Sequence, residues 1–204
     1  MNPYRLYLVT DDQQDIETLC HVVAQAVEGG VTMVQVREKH GDVRAFIERA
    51  YAVKAVLKGT GVPLIINDRV DVALAVDADG VHLGQSDMPA KVARQLIGPD
   101  KILGLSIETK KQLAEVEQLP IDYIGLSAIF TTPTKTNTKT HWGIEGLTYA
   151  LGQTHLPIVA IGGIDESNIP TLCATGVHGI ALVRAICHAD NPRYATEQLL
   201  AKMY

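Results

Sequence analysis

The chain has 204 residues, of which 47% are apolar and 20% are charged, and its formal net charge is −5. This balance is that of an ordinary globular protein, and the length predicts a single domain over residues 1–204. The negative charge argues against a nucleic-acid-binding protein, and no basic run is interleaved with aromatic residues. An anionic substrate would therefore need cations that are concentrated locally.

The cysteines and the N-terminus predict a compartment. Cys20, Cys173 and Cys187 are odd in number and lack metal-ligand spacing, so they fit a reducing environment better than a disulfide framework. The N-terminus leads straight into a strand-like run without a signal peptide, and no apolar stretch approaches the length of a membrane span. We expect a cytoplasmic protein without a membrane partner.

Strand-like and helix-like segments alternate along the chain. The predicted strands are residues 4–10, 33–37, 64–66, 80–83, 102–106, 123–130, 157–161 and 179–183. The predicted helices are residues 16–28, 43–57, 70–76, 89–97, 108–119, 144–151, 167–173 and 193–203. The strands are continuous apolar runs, which is typical of a parallel sheet buried on both faces.

Eight strand–helix units predict a closed (β/α)₈ TIM barrel, which is an α/β fold, at the short end of its usual length. A doubly wound open sheet is the alternative. That fold would favour a G-x-G-x-x-G motif after the first strand, and the motif is absent.

Functional groups of such a barrel lie at the carboxyl ends of its strands, and two acids stand there. Asp68 follows the third predicted strand and Asp87 follows the fourth. Two nearby oxygen ligands, with room for water and phosphate, are what Mg²⁺ requires. Each acid also has a structural interpretation, because Asp87 precedes Pro89 as a helix cap would and Asp68 could be a turn residue.

The second strand ends in an amide and two cations. Strand periodicity puts Gln35, Arg37 and Lys39 on one side, where they could meet one phosphate-bearing ligand. An alternative is that Arg37 and Glu38 belong to a structural ring of ion pairs.

Two further segments suggest phosphate binding. Gly162 and Gly163 end the seventh strand, and glycines there let backbone N–H groups approach a ligand, although a tight turn also favours glycine. Residues 131–143 hold six threonines, two lysines and no acid, which predicts a lid over a polyphosphate. His82, within the fourth strand, is interpreted as a core histidine.

Together these motifs resemble the thiamine-phosphate synthase (thiamine-phosphate pyrophosphorylase) family over essentially the whole chain. The resemblance is carried by Y-L-V-T-D at 7–11, V-Q-V-R-E-K at 34–39, I-N-D-R-V-D-V-A at 66–73, G-V-H-L-G-Q-S-D at 80–87, G-L-S at 104–106, the loop at 132–135, I-G-G-I at 161–164 and V-R-A-I at 183–186. The set in this order is highly specific, whereas each piece alone is not.

The resemblance implies a transferase that joins a hydroxymethylpyrimidine diphosphate to a hydroxyethylthiazole phosphate, or its carboxylated form, and releases diphosphate. It implies Mg²⁺ held by Asp68 and Asp87. The implied ligands of the pyrimidine diphosphate are Gln35, Val36, Arg37, Glu38, Lys39, Asn67, Ser106 and Lys135. The implied ligands of the thiazole phosphate are Thr132, Pro133, Thr134, Gly163, Val183 and Arg184. The implied catalytic residues are Lys135, Arg37 and Ser106.

The chain departs from the family pattern at two positions. Thr131 stands where proline is common, and Glu108 stands where related thiazole tautomerases have a catalytic histidine. Two alternatives stay open: a tautomerase-like isomerase of the same fold, and a non-catalytic regulator that binds phosphate ligands. The expected partners are small phosphorylated substrates, with a homo-oligomer left open.

Overall fold

The computed structural model describes residues 2–131 and 141–203 of the chain. Its strands are β1 (Leu6–Val9), β2 (Met33–Val36), β3 (Leu64–Asn67), β4 (Gly80–Leu83), β5 (Ile102–Ile107), β6 (Tyr123–Ser127), β7 (Ile158–Ile161) and β8 (Gly179–Leu182). Each strand pairs in parallel with the next, and β8 pairs with β1, so the sheet closes. The predicted (β/α)₈ barrel is confirmed, and the open-sheet alternative is wrong.

The helices in the described residues are α1 (Ile16–Glu28), α2 (Val43–Leu57), α3 (Val70–Ala75), α4 (Ala90–Ile97), α5 (Lys110–Leu113), α6 (Gly143–Leu151), α7 (Ile169–Ala174), α8 (Arg184–Cys187) and α9 (Pro192–Ala201). An aspartate caps the N-terminus of each of the two longest helices, α1 and α2. Asp15 accepts from the backbone N–H of Thr18, and Asp42 accepts from that of Ala45, which pairs N–H groups that a helix leaves unsatisfied. Among the described helices, none is long and apolar enough to span a membrane.

The predicted helix over 108–119 is wrong in extent. After α5 the chain turns and forms only a 3₁₀ helix, Val116–Gln118. Leu113 and Val116 are both buried, and residues three apart share a face in either kind of helix, so the apolar spacing could not distinguish them. The four-residue α8 was not predicted.

The core has two layers. Inside the barrel, Tyr7, Met33, Ile65, Tyr123 and Val159 belong to one buried cluster. A larger aliphatic cluster fills the space between the strands and the surrounding helices. Side chains therefore fill the interior of the barrel. The polar groups at the carboxyl ends of the strands lie above them and surround the open end, or mouth, of the barrel.

The opposite, N-terminal face of the barrel is fastened by structural ion pairs. Arg94 on α4 donates to the carbonyl oxygens of Gly98, Lys101 and Pro120 and pairs with Asp122 at 2.7 Å. These bonds satisfy loop carbonyls far from the strand ends. Arg94 thus serves the scaffold at the face opposite to the mouth.

Candidate active site

A cavity of about 1050 Å³ opens at the carboxyl ends of the strands. Ten of the predicted site residues line it, and they come from six βα units. They are Gln35, Arg37, Lys39, Asn67, Asp68, Asp87, Ser106, Gly163, Val183 and Arg184. The barrel therefore brings together most of the residues that the strand-end argument selected.

Asp68 and Asp87 form a pair of acids at one rim of this cavity. Their carboxyl groups lie close enough to interact directly, and burial together with the neighbouring Asp68 raises the pKa of Asp87. Lys39 forms an ion pair with Asp68. Two acids held this close repel each other unless a proton or a cation lies between them.

Local geometry explains how each acid is held. Asp68 has a φ of 62°, in the left-handed region that aspartate tolerates better than most residues. Asp87 accepts from the backbone N–H of Gly84 at 2.6 Å, and a Cβ on Gly84 would lie 2.9 Å from the same oxygen. The helix-cap interpretation of Asp87 is wrong, because Pro89 precedes α4 and no side chain caps that helix.

Two residues of the predicted Gln35–Lys39 segment direct their side chains away from the cavity. Val36 belongs to the outer aliphatic cluster. Glu38 pairs with Arg49 on α2 at 2.6 Å, with only 8% of its side chain exposed. Burial raises the pKa of Glu38, while Arg49 opposes that shift. The alternative ion-pair interpretation therefore describes Glu38, whereas Arg37 lines the cavity.

A chain of hydrogen bonds crosses the floor of the cavity. Gln35 Nε2 lies 2.7 Å from the Tyr7 hydroxyl, which lies 3.0 Å from that of Tyr123. The Tyr123 hydroxyl is 2.8 Å from His82 Nδ1, and His82 Nε2 is 2.9 Å from Ser106 Oγ. Burial raises the pKa of Tyr7 and of Tyr123, so both phenols stay protonated.

We infer one order of protons along this chain from its first member. With the amide nitrogen of Gln35 facing Tyr7, as it lies in the structure, Tyr7 accepts from Gln35 and in this order donates onward to Tyr123. In the same inferred order Tyr123 donates to His82 Nδ1, which places the ring proton on Nε2. The Nε2–H donates to Ser106, whose own hydroxyl proton is left to point into the cavity.

Three polar groups at the cavity make no side-chain hydrogen bond within the part of the chain that the structure describes. The side-chain amide nitrogen of Asn67 is buried and makes no hydrogen bond. The guanidinium groups of Arg37 and Arg184, which line the cavity, also make no side-chain hydrogen bond there, and Arg37 interacts electrostatically with Asp12. The buried unpaired donor of Asn67 is costly, and the half-buried Arg37 and the exposed Arg184 add positive charge, so the site suits a ligand that carries oxygen acceptors and negative charge.

The backbone conformation at position 163 requires glycine, whether or not a ligand binds there. Its φ is 68°, and a Cβ there would lie 2.6 Å from the carbonyl oxygen of Thr131 and 2.7 Å from Phe130 Cβ. The structural alternative for this glycine therefore has a physical basis. Gly163 nevertheless lines the cavity together with Val183 and Arg184.

Four predicted site residues, Thr132, Pro133, Thr134 and Lys135, lie outside the described residues, as does most of the predicted lid over 131–143. Their roles stay predictions. The sequence argument in turn missed Tyr7 and Tyr123, and it interpreted His82 only as a core residue. Phenol groups inside otherwise aliphatic strands were the available signal.

The barrel and the groups at its strand ends define a class, a (β/α)₈ enzyme for an anionic small molecule. The chain belongs to the thiamine monophosphate synthase family, whose model matches residues 6–186. The thiamine-phosphate synthase of Vibrio parahaemolyticus serotype O3:K6 is 80% identical over 203 residues and covers 100% of both chains. That of Albidiferax ferrireducens is 50% identical, over 96% of this chain and 90% of the relative.

Solved structures agree with this assignment. The thiamine phosphate pyrophosphorylase from Pyrococcus furiosus has a TM-score of 0.89 at 37% identity and covers 99% of this chain and 96% of its own. A 3-hexulose-6-phosphate synthase has a TM-score of 0.71 at 17% identity, over 97% of this chain and 99% of its own, which shows a common fold alone. The chain is thus a transferase that makes thiamine phosphate, as the motifs predicted.

Proposed function

We propose that the chain makes thiamine phosphate by a Mg²⁺-dependent, dissociative condensation. The bond between the pyrimidinylmethyl carbon and the diphosphate oxygen breaks first, and the diphosphate leaves with the electron pair. The nitrogen of the thiazole phosphate, or of its carboxylated form, then attacks that carbon with its lone pair. The paired acids Asp68 and Asp87, at a cavity that Arg37, Lys39 and Arg184 also line, carry this proposal.

The donor set fits magnesium. Within residues 2–131 and 141–203, no group of three or more His, Cys, Asp or Glu side chains could hold a metal, so a site closed by protein ligands is not available there. Two carboxylates suit Mg²⁺, which keeps water and phosphate oxygens in its remaining positions. When bound, Mg²⁺ would offset the negative charge on the leaving diphosphate.

The residues of the chain supply position and charge. Arg37 and Lys39, with Lys135 by family resemblance, would hold the diphosphate as its charge grows. Gln35, Asn67 and Ser106 would orient the pyrimidine. The proposed thiazole phosphate ligands are Thr132, Pro133, Thr134, Gly163, Val183 and Arg184. The attacking nitrogen already has a lone pair, so the reaction needs no general base.

The remaining expectations become part of the proposal. We place the enzyme in the cytoplasm, with small phosphorylated substrates and no nucleic-acid partner, and leave open a homo-oligomer. The isomerase alternative is disfavoured because this chain lacks the histidine that the family resemblance associates with tautomerisation. Glu108 stands at that position. Relatives at 78% and 80% identity are synthases, which argues against a regulator without turnover.

Diphosphate release from the two substrates, measured with and without Mg²⁺, tests the metal assignment. Asp68→Asn and Asp87→Asn remove a charge but keep an oxygen acceptor, and both should lose most of the turnover. Asp77→Asn is the matched control, because Asp77 also has a positive φ, of 48°, but pairs with Lys101 at 2.7 Å, away from the cavity. Metal-independent release in the wild type, or normal turnover in both site variants at limiting Mg²⁺, would contradict the proposal.

A further inference from the structure

Arg49 is a buried cation that reaches the mouth of the barrel without lining its cavity. It lies on α2 and is 9% exposed. Its Nε donates to Glu38 Oε1 at 2.6 Å, and its Nη1 donates to the carbonyl oxygen of Gln14 at 2.6 Å. One guanidinium group thus fastens the β2–α2 connection to the β1–α1 connection.

Glu38 sits between two cavity-lining cations in the chain. Arg37 and Lys39 line the large cavity, and both also line a smaller cavity of about 260 Å³ beside it. Glu38 turns away from both cavities and toward Arg49. The direction of Glu38 therefore sets the direction of its two neighbours, because the three residues form one short connection.

The same fastening extends to α8. The side-chain nitrogen of Gln14 donates to the carbonyl oxygen of Cys187 at 2.7 Å, and Cys187 ends the helix that Arg184 begins. The backbone N–H of Lys39 donates to Asp12 Oδ2 at 3.1 Å. Three strand–helix connections, two of which carry the cavity cations Arg37, Lys39 and Arg184, are thereby joined around Arg49.

We propose that Arg49 is a positioning residue that holds Arg37 and Lys39 against the diphosphate without touching it. Without Arg49, Glu38 would be a largely buried carboxylate that has lost its ion-pair partner, and the connection would have to rearrange to hydrate it or to pair it with Arg37. That rearrangement moves the two cations, and a displacement of about 1 Å can cost on the order of 10²-fold in rate. The inference rests on the proposed role of Arg37 and Lys39 in binding diphosphate.

Arg49→Met tests the proposal, with Arg94→Met as the matched control. Both substitutions remove an arginine that binds loop carbonyls and one carboxylate, but Arg94 lies at the N-terminal face. Both variants should lose stability. Only Arg49→Met should raise the inhibition constant of inorganic diphosphate and the Michaelis constant of the pyrimidine diphosphate, by about 10-fold or more.

Glu38→Ala and Glu38→Gln keep the proposal testable if Arg49→Met does not fold. Glu38→Ala should raise the same two constants, and Glu38→Gln should restore most of the loss because it keeps an acceptor for Arg49. The double variant of Arg49→Met with Glu38→Ala should be no worse than Arg49→Met alone, since the pair acts as one unit.

Three outcomes in the other variants would overturn the role of Arg49. They are unchanged constants in Glu38→Ala, additive losses in the double variant, and an equal kinetic loss in Arg94→Met. Failure of the proposed function looks different, because wild-type protein would then release no diphosphate in a Mg²⁺-dependent way. Normal wild-type release together with normal inhibition of Arg49→Met by diphosphate contradicts only the positioning role.

Discussion

At the scale of single residues, the floor of the cavity depends on where protons sit. Gln35 and Ser106 are the ends of one hydrogen-bonded chain with three side chains between them. Each of the three can accept a hydrogen bond on one side and donate one on the other. A polar chain inside a barrel is favourable only when each member is satisfied. In the inferred order of protons, the amide of Gln35 decides whether Ser106 offers a donor to the substrate.

The first prediction concerns the tautomer of His82. In the wild type, ¹⁵N NMR of the histidine ring should show the proton on Nε2. Gln35→Glu replaces the donor by an acceptor, so Tyr7 must donate to it and the order of the chain reverses. The proton should move to Nδ1, and the Michaelis constant of the pyrimidine diphosphate should rise, because Ser106 then donates to His82. Gln153→Glu adds the same charge at an exposed position and should change neither observable; a wild-type Nδ1–H tautomer would refute the proposed order.

The second prediction concerns pH and the paired acids. The pKa of Asp87 is raised above its ordinary value of 3.8, so this carboxyl binds its proton more tightly in the folded protein than in the unfolded chain. In metal-free protein, the protonated carboxyl of Asp87 therefore contributes fully to stability below pH 3.8. This contribution is lost as the pH rises through the pKa that Asp87 has in the folded protein. Urea unfolding should show wild type losing stability relative to Asp87→Asn over that window, and Mg²⁺ should remove the loss. A pH-independent difference between the two proteins would exclude the raised pKa.

At the scale of elements, β5 makes room for the polar chain. Gly104 lies beside Tyr123 in the strand register, and a Cβ there would be 2.2 Å from Tyr123 Cζ and 2.5 Å from His82 Nδ1. Gly80, at the start of β4, is as tightly packed, with its Cβ position 2.3 Å from the carbonyl oxygen of Ile102. The two glycines differ in what surrounds them: one borders the polar chain and the other borders only backbone and core.

The third prediction compares these glycines. Gly104→Ala and Gly80→Ala should both lower the free energy of unfolding, by about 1–3 kcal/mol, because overpacking forces neighbours to shift. Only Gly104→Ala should also raise the Michaelis constant of the pyrimidine diphosphate, since the side chains that must move are Tyr123 and His82. Chemical denaturation and steady-state kinetics on the same preparations measure both effects. Equal kinetic changes in the two variants would show that the chain of hydrogen bonds is irrelevant to binding.

Elements were predictable where local chemistry is complete. The bounds of α1 and α2 follow from a capping aspartate, a sustained apolar face and a stop signal, all of which are read within one segment. The region after β5 lacked such a stop, and the apolar spacing suited two kinds of helix. The short α8 has only four residues, too few for periodicity to indicate a helix.

At the scale of the whole molecule, the two faces of the barrel have different roles, because one stabilises the scaffold and the other is arranged to bind ligands. The N-terminal face is fastened by satisfied ion pairs such as Arg94 with Asp122, whereas the mouth holds like charges together and leaves donors unpaired. Asp68 and Asp87 could be predicted because neighbouring parallel strands end at one rim. The contact between Tyr7 and Tyr123 joins residues 116 apart in sequence, so no local pattern could reveal it.

The last prediction uses this division. A ligand that binds only the folded protein stabilises it by about 2.7 kcal/mol at 100 times its dissociation constant. Mg²⁺ with inorganic diphosphate should therefore raise the urea midpoint of the wild type. Arg94→Met should start from a lower midpoint and keep the full ligand-induced rise, because its lesion lies at the far face. Asp87→Asn should start from a midpoint at or above that of the wild type without ligand, because it removes the repulsion between the two carboxylates. It should lose most of the rise, because the diphosphate then lacks a shared cation. A full rise in Asp87→Asn, or its loss in Arg94→Met, would mean that binding and scaffold are not divided between the two faces.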